Sequence, residues 1–352
     1  EQAGDGLLVI DEVQRLPELT LAVKAAVDRD RRPGRFILTG SSDVARIRGD
    51  KDSLAGRALS VRLHPLSQAE LRGSLGRGAF VDRLLERIDD PAGLAVAVPP
   101  SRVDVVELLL RGGYPSIREA GTRLRTAWLS DYVERLLGVD AREGGGRLDP
   151  LRLAAVLRLI AANQSGELVK ARIAQEAALS AASVTGYLDA LDRLYLTEDL
   201  HPWAVNLTAR EIGRRKVRVG DSGLAAWLCG ASVGLLKDVV RGGKVFGALL
   251  EGFVVGELSA QAGWAEVDYR LYHYRDRRGL EVDVIIELGD GRVIAVEVKS
   301  AAGLTGRHFA GLTDLKRKLG DRLAAGVVLA PVDEPMRYAE GLWGLPLNTL
   351  WE

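Results

Sequence analysis

Residues 7–12 read LLVIDE and residues 36–42 read FILTGSS, two short apolar runs that each end in polar side chains. A helical segment from about Leu19 to Asp28 lies between them, bounded by Pro17, Pro33 and Gly34. Short continuous apolar runs joined by a helix form a buried parallel sheet, and a parallel pair brings both C-terminal ends to one edge. That edge gathers Asp11 and Glu12 with Ser41 and Ser42. A strand ending in Asp also arises for plain capping reasons, and Gly40-Ser41-Ser42 suits an ordinary turn. The chemical reading is that Asp11 holds the hydration shell of a Mg²⁺ ion and Glu12 polarises an attacking water, while a hydroxyl senses a terminal phosphate.

No phosphate-cradling loop accompanies this unit. The pattern G-x-x-x-x-G-K-[ST] is absent from the 352 residues, and the nearest candidate, Gly243-Lys244, is followed by Val245 and has Asp238 in place of the first glycine. The length accommodates about two or three domains, and 47% hydrophobic residues supply core for all of them. Acidic and basic residues balance at 48 each, so nucleic acid or membrane has to be met by a local patch and not by net charge. The lone Cys229 rules out an internal disulfide and a Cys-based zinc cluster, and the four His show no metal-ligand spacing. The longest apolar stretch, Leu323 to Val332, is too short to cross a bilayer and carries a proline; with no leader ahead of the first strand, a cytoplasmic location and no membrane partner are expected.

Composition shifts and breakers divide the chain into an α/β multidomain protein. Residues 1–65 form a partial parallel sheet, 66–143 a helical subdomain, 147–225 a winged-helix-like unit and 226–352 a second α/β domain. Gly144-Gly145-Gly146 is the clearest linker. Three helices at about 150–163, 169–179 and 181–195 followed by alternation to about 220 outline the winged helix. A helix from about Gly247 to Ala262 opens the last unit, ahead of strands at Tyr269–Arg275, Glu281–Leu288 and Val293–Ser300, a helix at about His308–Leu319 and a strand near Gly326–Ala330.

VIDEVQRLPEL, FILTGSS, Leu54-Ala55-Gly56-Arg57 and His64-Pro65-Leu66-Ser67 follow one another in an order that resembles the prokaryotic AAA-type ATPases carrying a C-terminal domain of unknown function. The likeness continues through Arg111-Gly112-Gly113-Tyr114-Pro115, Trp128 to Tyr132, and Val219-Gly220-Asp221-Ser222-Gly223-Leu224. It implies that Asp11 and Glu12 are the Walker B pair, that Ser41 or Ser42 sits near the sensor position, that Arg57 is an arginine sensor or finger, and that ATP and Mg²⁺ are the cofactors of the parent protein. The missing glycine loop implies a chain truncated before Walker B, so that hydrolysis belongs to the parent.

A second constellation is read from alternation. Val282, Val284 and Ile286 are expected on one face of their strand and Asp283 on the other; Ile294, Val296 and Val298 leave Glu297 and Lys299 opposite. A turn centred on Asp290 then pairs residue 283 with 297. Two crowded carboxylates call for a cation, and Glu251 from the preceding helix is placed to add a third, which points to Mg²⁺. The E…D…E-x-K order resembles the PD-(D/E)xK nuclease superfamily. That likeness implies a metal held by Glu251, Asp283 and Glu297, and a Lys299 that positions water against a phosphodiester.

The third helix of the winged unit, Ala181 to Leu194, exposes Asp189, Asp192 and only Arg193, a poor surface for a DNA groove. Arg210, Arg214, Arg215, Lys216 and Arg218 crowd into the following hairpin, where they suit sequence-independent phosphate contacts, or else a solvated or interdomain hairpin. The expectation is an ATPase fragment coupled to a nucleic-acid-directed, Mg²⁺-dependent nuclease-like domain, with homo-oligomers allowed. The competing readings are an inert regulatory or protein-interaction scaffold, and an ATPase switch whose last domain binds DNA ends without cutting.

Overall fold

The computed structural model describes residues 6–16, 18–41, 54–94, 98–143, 148–206, 208, 210 and 213–352. Ser42 and the Gly144–Gly146 linker lie outside them. Strands β1 (Leu8–Ile10) and β2 (Phe36–Leu38) pair in parallel, as the opening motif requires, with helix Glu18–Arg29 between them. Leu7, Leu8, Val9 and Ile37 are exposed, which is unusual for a parallel pair and marks a sheet with uncovered faces.

From Ala69 to Trp351 a main hydrophobic core links the helical, three-stranded and C-terminal units, which are packed together and are not beads on a string, and a second, smaller core gathers Trp203, Val282, Ile285 and Phe309. Helix Gln68–Arg72 starts at Ser67, whose side chain accepts from the Glu70 N–H while the Glu70 carboxylate accepts from the Ser67 N–H. Helix Arg102–Arg111 begins with the same reciprocal cap, Ser101 with Asp104, and ends at Gly112. There φ is 66° and an added Cβ would lie 2.4 Å from an Asp221 oxygen, so only glycine fits.

Helices Pro150–Ala162, Lys170–Glu176 and Ala181–Arg193 follow the predicted ranges closely. Strands β3 (Gly166–Glu167), β4 (Thr197–Leu200) and β5 (Lys216–Val219) form an antiparallel sheet in the order β3-β5-β4. Next come helices Ser222–Leu228 and Val233–Lys237, and then the helix Val239–Gln261, capped by Asp238. The C-terminal sheet contains β6 (Tyr269–Arg275), β7 (Glu281–Leu288), β8 (Val293–Val298), β9 (Leu323–Ala330), β10 (Met336–Ala339) and β11 (Leu342–Pro346), ordered β10-β11-β9-β8-β7-β6. Helix Ala310–Leu319 carries the chain from β8 to its parallel neighbour β9. Strands β10 and β11 were not legible in the sequence, being short and joined by a tight turn at Gly341.

Regular alternation in β7 is a correction to the expected pattern. Tyr272 pairs with Ile285 but Tyr274 pairs with Val282, so two residues of β7, Asp283 and Val284, oppose His273 alone. This bulge moves Val282 into the second core with Ile285, while Val284 and Ile286 pack in the main core. The expected shared face of Val282, Val284 and Ile286 does not exist. Among the described residues, no helix is long and apolar enough to cross a membrane.

Candidate functional site

The edge shared by β1 and β2 brings together Asp11, Glu12, Thr39 and Ser41. Thr39 donates its hydroxyl proton to Asp11, and Gln14 donates to Glu12 and, at 2.9 Å, to Ser41. Ser41 lies 3.3 Å from the same Glu12 oxygen. Glu12 holds φ 52° and ψ 45°, a left-handed conformation that costs a non-glycine residue about 1 kcal/mol and that turns its carboxylate back toward the strand ends. These groups fit one wall of a Mg²⁺–nucleotide site, because the acids and hydroxyls converge on one exposed edge. Arg57 is engaged elsewhere, in a two-pronged contact with Asp28 at 2.7 and 3.0 Å.

Asp283 and Glu297 come together at the other constellation, with Lys299 beside both. Lys299 Nζ binds Glu297 and lies 4.0 Å from Asp283 Oδ2. Asp283 Oδ2 also accepts from the Val298 N–H at 2.8 Å, a contact that the bulge makes reachable. Glu251 reaches the cluster from the long helix, as expected.

What the sequence did not disclose is the centre of the cluster. Lys216 of β5 inserts its ammonium 2.8 Å from Glu251, 2.6 Å from Glu281 and 3.9 Å from Asp283, with only 4% of its side chain exposed. Burial works against its charge, but Glu251, Asp283 and Glu281 outweigh it and hold the ammonium above the ordinary lysine range. One ammonium cannot neutralise three acids. Burial, reinforced by the Asp283 charge, accordingly raises Glu251 well above the usual carboxylate range, and it raises Glu297 in the same way.

An Mg²⁺ ion was expected here. Glu297 Oε2 is buried with no hydrogen-bond partner among the described residues, a free acceptor that a cation could use. The remaining arrangement does not fit a divalent ion: the carboxylates close on Lys216 and Lys299, and no group of three or more His, Cys, Asp or Glu among the described residues is disposed to hold a metal.

The hairpin arginines are also engaged internally. Arg210 grips Glu287 through two bonds of 2.7 and 2.6 Å, Arg215 pairs with Asp199, and Arg218 pairs with Glu198 while donating at 3.0 Å to the Gly220 carbonyl. Arg214 remains largely exposed, 3.7 Å from Glu167. Of the readings left open for this hairpin, interdomain contact matches the geometry, and an array of five outward cations does not. The connection between β4 and β5 lies along the β6 edge: Trp203 N–H donates to His273 at 2.6 Å, His273 N–H donates to the His201 carbonyl at 2.9 Å, and Trp203 is buried in the second core. A signal for this docking was present. Gly252 and Gly256 sit one turn apart on the long helix, and an added Cβ at Gly256 would come within 3.1 Å of the Arg218 guanidinium.

Residues 62–82, at the end of the ATPase-type unit and the start of the helical subdomain, form a strap held from both sides. Arg62 and His64 meet Glu198 at 2.8 and 3.3 Å. The Gln68 N–H donates to both oxygens of Glu257, Phe80 N–H donates to Gln261 at 2.7 Å, and Asp82 accepts from the Glu266 and Val267 N–H groups at 3.0 Å each.

Residues 1–72 match the model of an AAA domain, 102–234 match a domain of unknown function (DUF8612), and 246–350 match another (DUF4143). Two uncharacterized proteins, one from Mycobacterium bovis and one from Mycobacterium tuberculosis, are each 28% identical to this chain over 315 residues, 88% of the chain. The chain spans 63% of the length of each. No solved structure matches. The chain is thus similar to an AAA-type ATPase joined to a C-terminal domain of unknown function.

Proposed function

We propose that this chain belongs to a nucleotide-driven switch in which an AAA-type module controls a nuclease-like C-terminal domain through the winged-helix-like unit between them. The strap carries the reading: residues 62–82 are bonded by charged and buried groups to β4 on one side and to the long helix on the other, so displacement of the AAA-type sheet is felt at both. Support for the nuclease-like fold comes from the succession of long helix, three antiparallel strands, crossover helix and parallel strand, with Asp283 and Glu297 adjacent. Three helices and a three-stranded antiparallel sheet support the winged-helix-like unit.

Bound ATP–Mg²⁺ supplies the phosphoryl chemistry of such a module. Toward it, Asp11 would hold the ion's hydration shell, and Glu12, kept in place by Gln14 and Ser41, would take a proton from the attacking water at its carboxylate. The protein in its full natural length is the object to test. ATP turnover should fall at least a hundredfold in Glu12→Gln, and Mg²⁺- or Mn²⁺-dependent cleavage of plasmid or branched DNA should vanish in Asp283→Ala and in Lys299→Ala. Turnover unaffected by Glu12→Gln would overturn the ATPase reading. Absence of cleavage with ATP present would leave the C-terminal domain as an interaction scaffold.

A further inference from the structure

The carboxylate cluster contains four acids, Glu251, Glu281, Asp283 and Glu297, and two ammonium groups, Lys216 and Lys299. Three of the acids and Lys299 belong to two neighbouring strands of one sheet and its trailing residue, and Glu251 comes from the helix packed on that sheet. Lys216 has a different origin. Its backbone is fixed in another sheet, paired with Glu167 of β3 and Leu200 of β4, and its side chain crosses the interface to reach the acids. An ammonium 2.8 Å from Glu251 and 2.6 Å from Glu281 stands where a Mg²⁺ ion would have to bind the Glu251 carboxylate at about 2.0–2.1 Å. Lys216 engages Glu251 and lies 3.9 Å from Asp283, two of the three acids expected to hold the ion, so the two like-charged cations compete for them.

We propose that Lys216 is a built-in plug: β5 delivers a cation that closes the carboxylate cluster, and a divalent ion enters only when β5 withdraws. The inference deepens the nuclease-like reading and rests on it for the identity of the displaced ion. Withdrawal has a handle. Two residues along the same strand, Arg218 is bound to Glu198, and Glu198 is the residue that Arg62 and His64 of the strap also bind. Movement of the strap therefore acts on the strand that carries the plug. Nearby, His273 is 1% exposed, its Nδ1 lacks a hydrogen-bond partner among the described residues, and its Nε2 faces the Arg214 carbonyl at 2.9 Å. The backbone just ahead of the plug is held by this ring contact and by the Leu168 N–H, which donates to the Arg215 carbonyl at 2.8 Å.

Manganese alone is the probe. In calorimetric titrations of the 352-residue chain, the wild type should show no saturable Mn²⁺ site at up to low-millimolar ion. Lys216→Ala should gain one site at least tenfold tighter, and Asp283→Asn added to that variant should abolish it. A folded Lys216→Ala protein that gains no site overturns the plug, as does a wild-type site of equal affinity that Asp283→Asn removes. If Lys216→Ala is unfolded without metal, refolding on Mn²⁺ addition, seen as a cooperative melt, supports the proposal. Failure of both Lys216→Ala and Lys216→Gln to fold or bind with Mn²⁺ present overturns it. A gained Mn²⁺ site without DNA cleavage would keep the plug and reject the nuclease, so the two failures are distinguishable.

Discussion

Glu257 is the residue at which burial has its clearest measurable consequence. Its carboxyl lies inside the long helix's contact with helix Gln68–Arg72, and burial pushes it up to about 8, against the opposing pull of the Gln68 N–H. A folded value above the unfolded one means that the native state binds the extra proton, so the stabilisation is complete below about pH 4.5 and is lost as pH rises toward 8. Urea midpoints should therefore fall between pH 5 and 8, with this group contributing a slope of up to about 1.4 kcal/mol per pH unit. Glu257→Gln, which keeps an acceptor for Gln68, should flatten that slope; an unchanged slope would place the proton elsewhere. Asp221 is the second residue-scale test. It accepts from the Gly113 N–H at 2.6 Å and the Leu224 N–H at 2.7 Å, which explains why the Gly112-Gly113 and Gly220-Asp221-Ser222 strings occur together. Asp221→Ala leaves two buried N–H groups without acceptors and should cost about 2–4 kcal/mol by chemical denaturation.

At the scale of elements, the decisive piece is the connection between β4 and β5. A hairpin rich in arginine reads as a nucleic-acid contact, yet the bidentate Arg210–Glu287 pair and the buried Trp203, whose Nε1 donates to Glu287 at 3.0 Å, pin it to the C-terminal sheet. A double-mutant cycle of Arg210→Ala and Glu287→Ala should return a coupling of about 1–3 kcal/mol. Arg210→Ala alone should speed proteolysis within residues 201–215. Additive effects and an unchanged cleavage rate would show that the pair does not hold the connection. Periodicity misled at a different element: a bulge opposite His273 shifts the facing of β7 by one residue, and no alternation rule locates a bulge in a run of Val and Ile.

Across the whole molecule, one bonded path runs from the strap, which follows the β1 and β2 sheet in the chain, through Glu198 and Arg218 to β5 and the carboxylate cluster that Lys216 enters. The β1 and β2 sheet has exposed apolar faces and the sequence lacks a glycine-rich phosphate loop, whose N–H groups and lysine supply most contacts to ATP. Residues 1–352 by themselves should accordingly bind ATP–Mg²⁺ no tighter than the millimolar range by calorimetry. Micromolar affinity would mean that Asp11, Glu12 and their neighbours hold the phosphates by another route.

The sequence alone determined the parallel β1 and β2 pair, because short apolar runs joined by a helix form a parallel sheet, and the hairpin that sets Asp283 beside Glu297, because turn residues fix the register of the strands they join. The tertiary structure decided which charges face which. Lys216 and Glu251 are 35 residues apart, and Arg62 and Glu198 are more distant still, so nothing in local spacing pairs them. Ion pairs across an interface follow from how sheets and helices dock, and docking placed an ammonium where the sequence called for a metal.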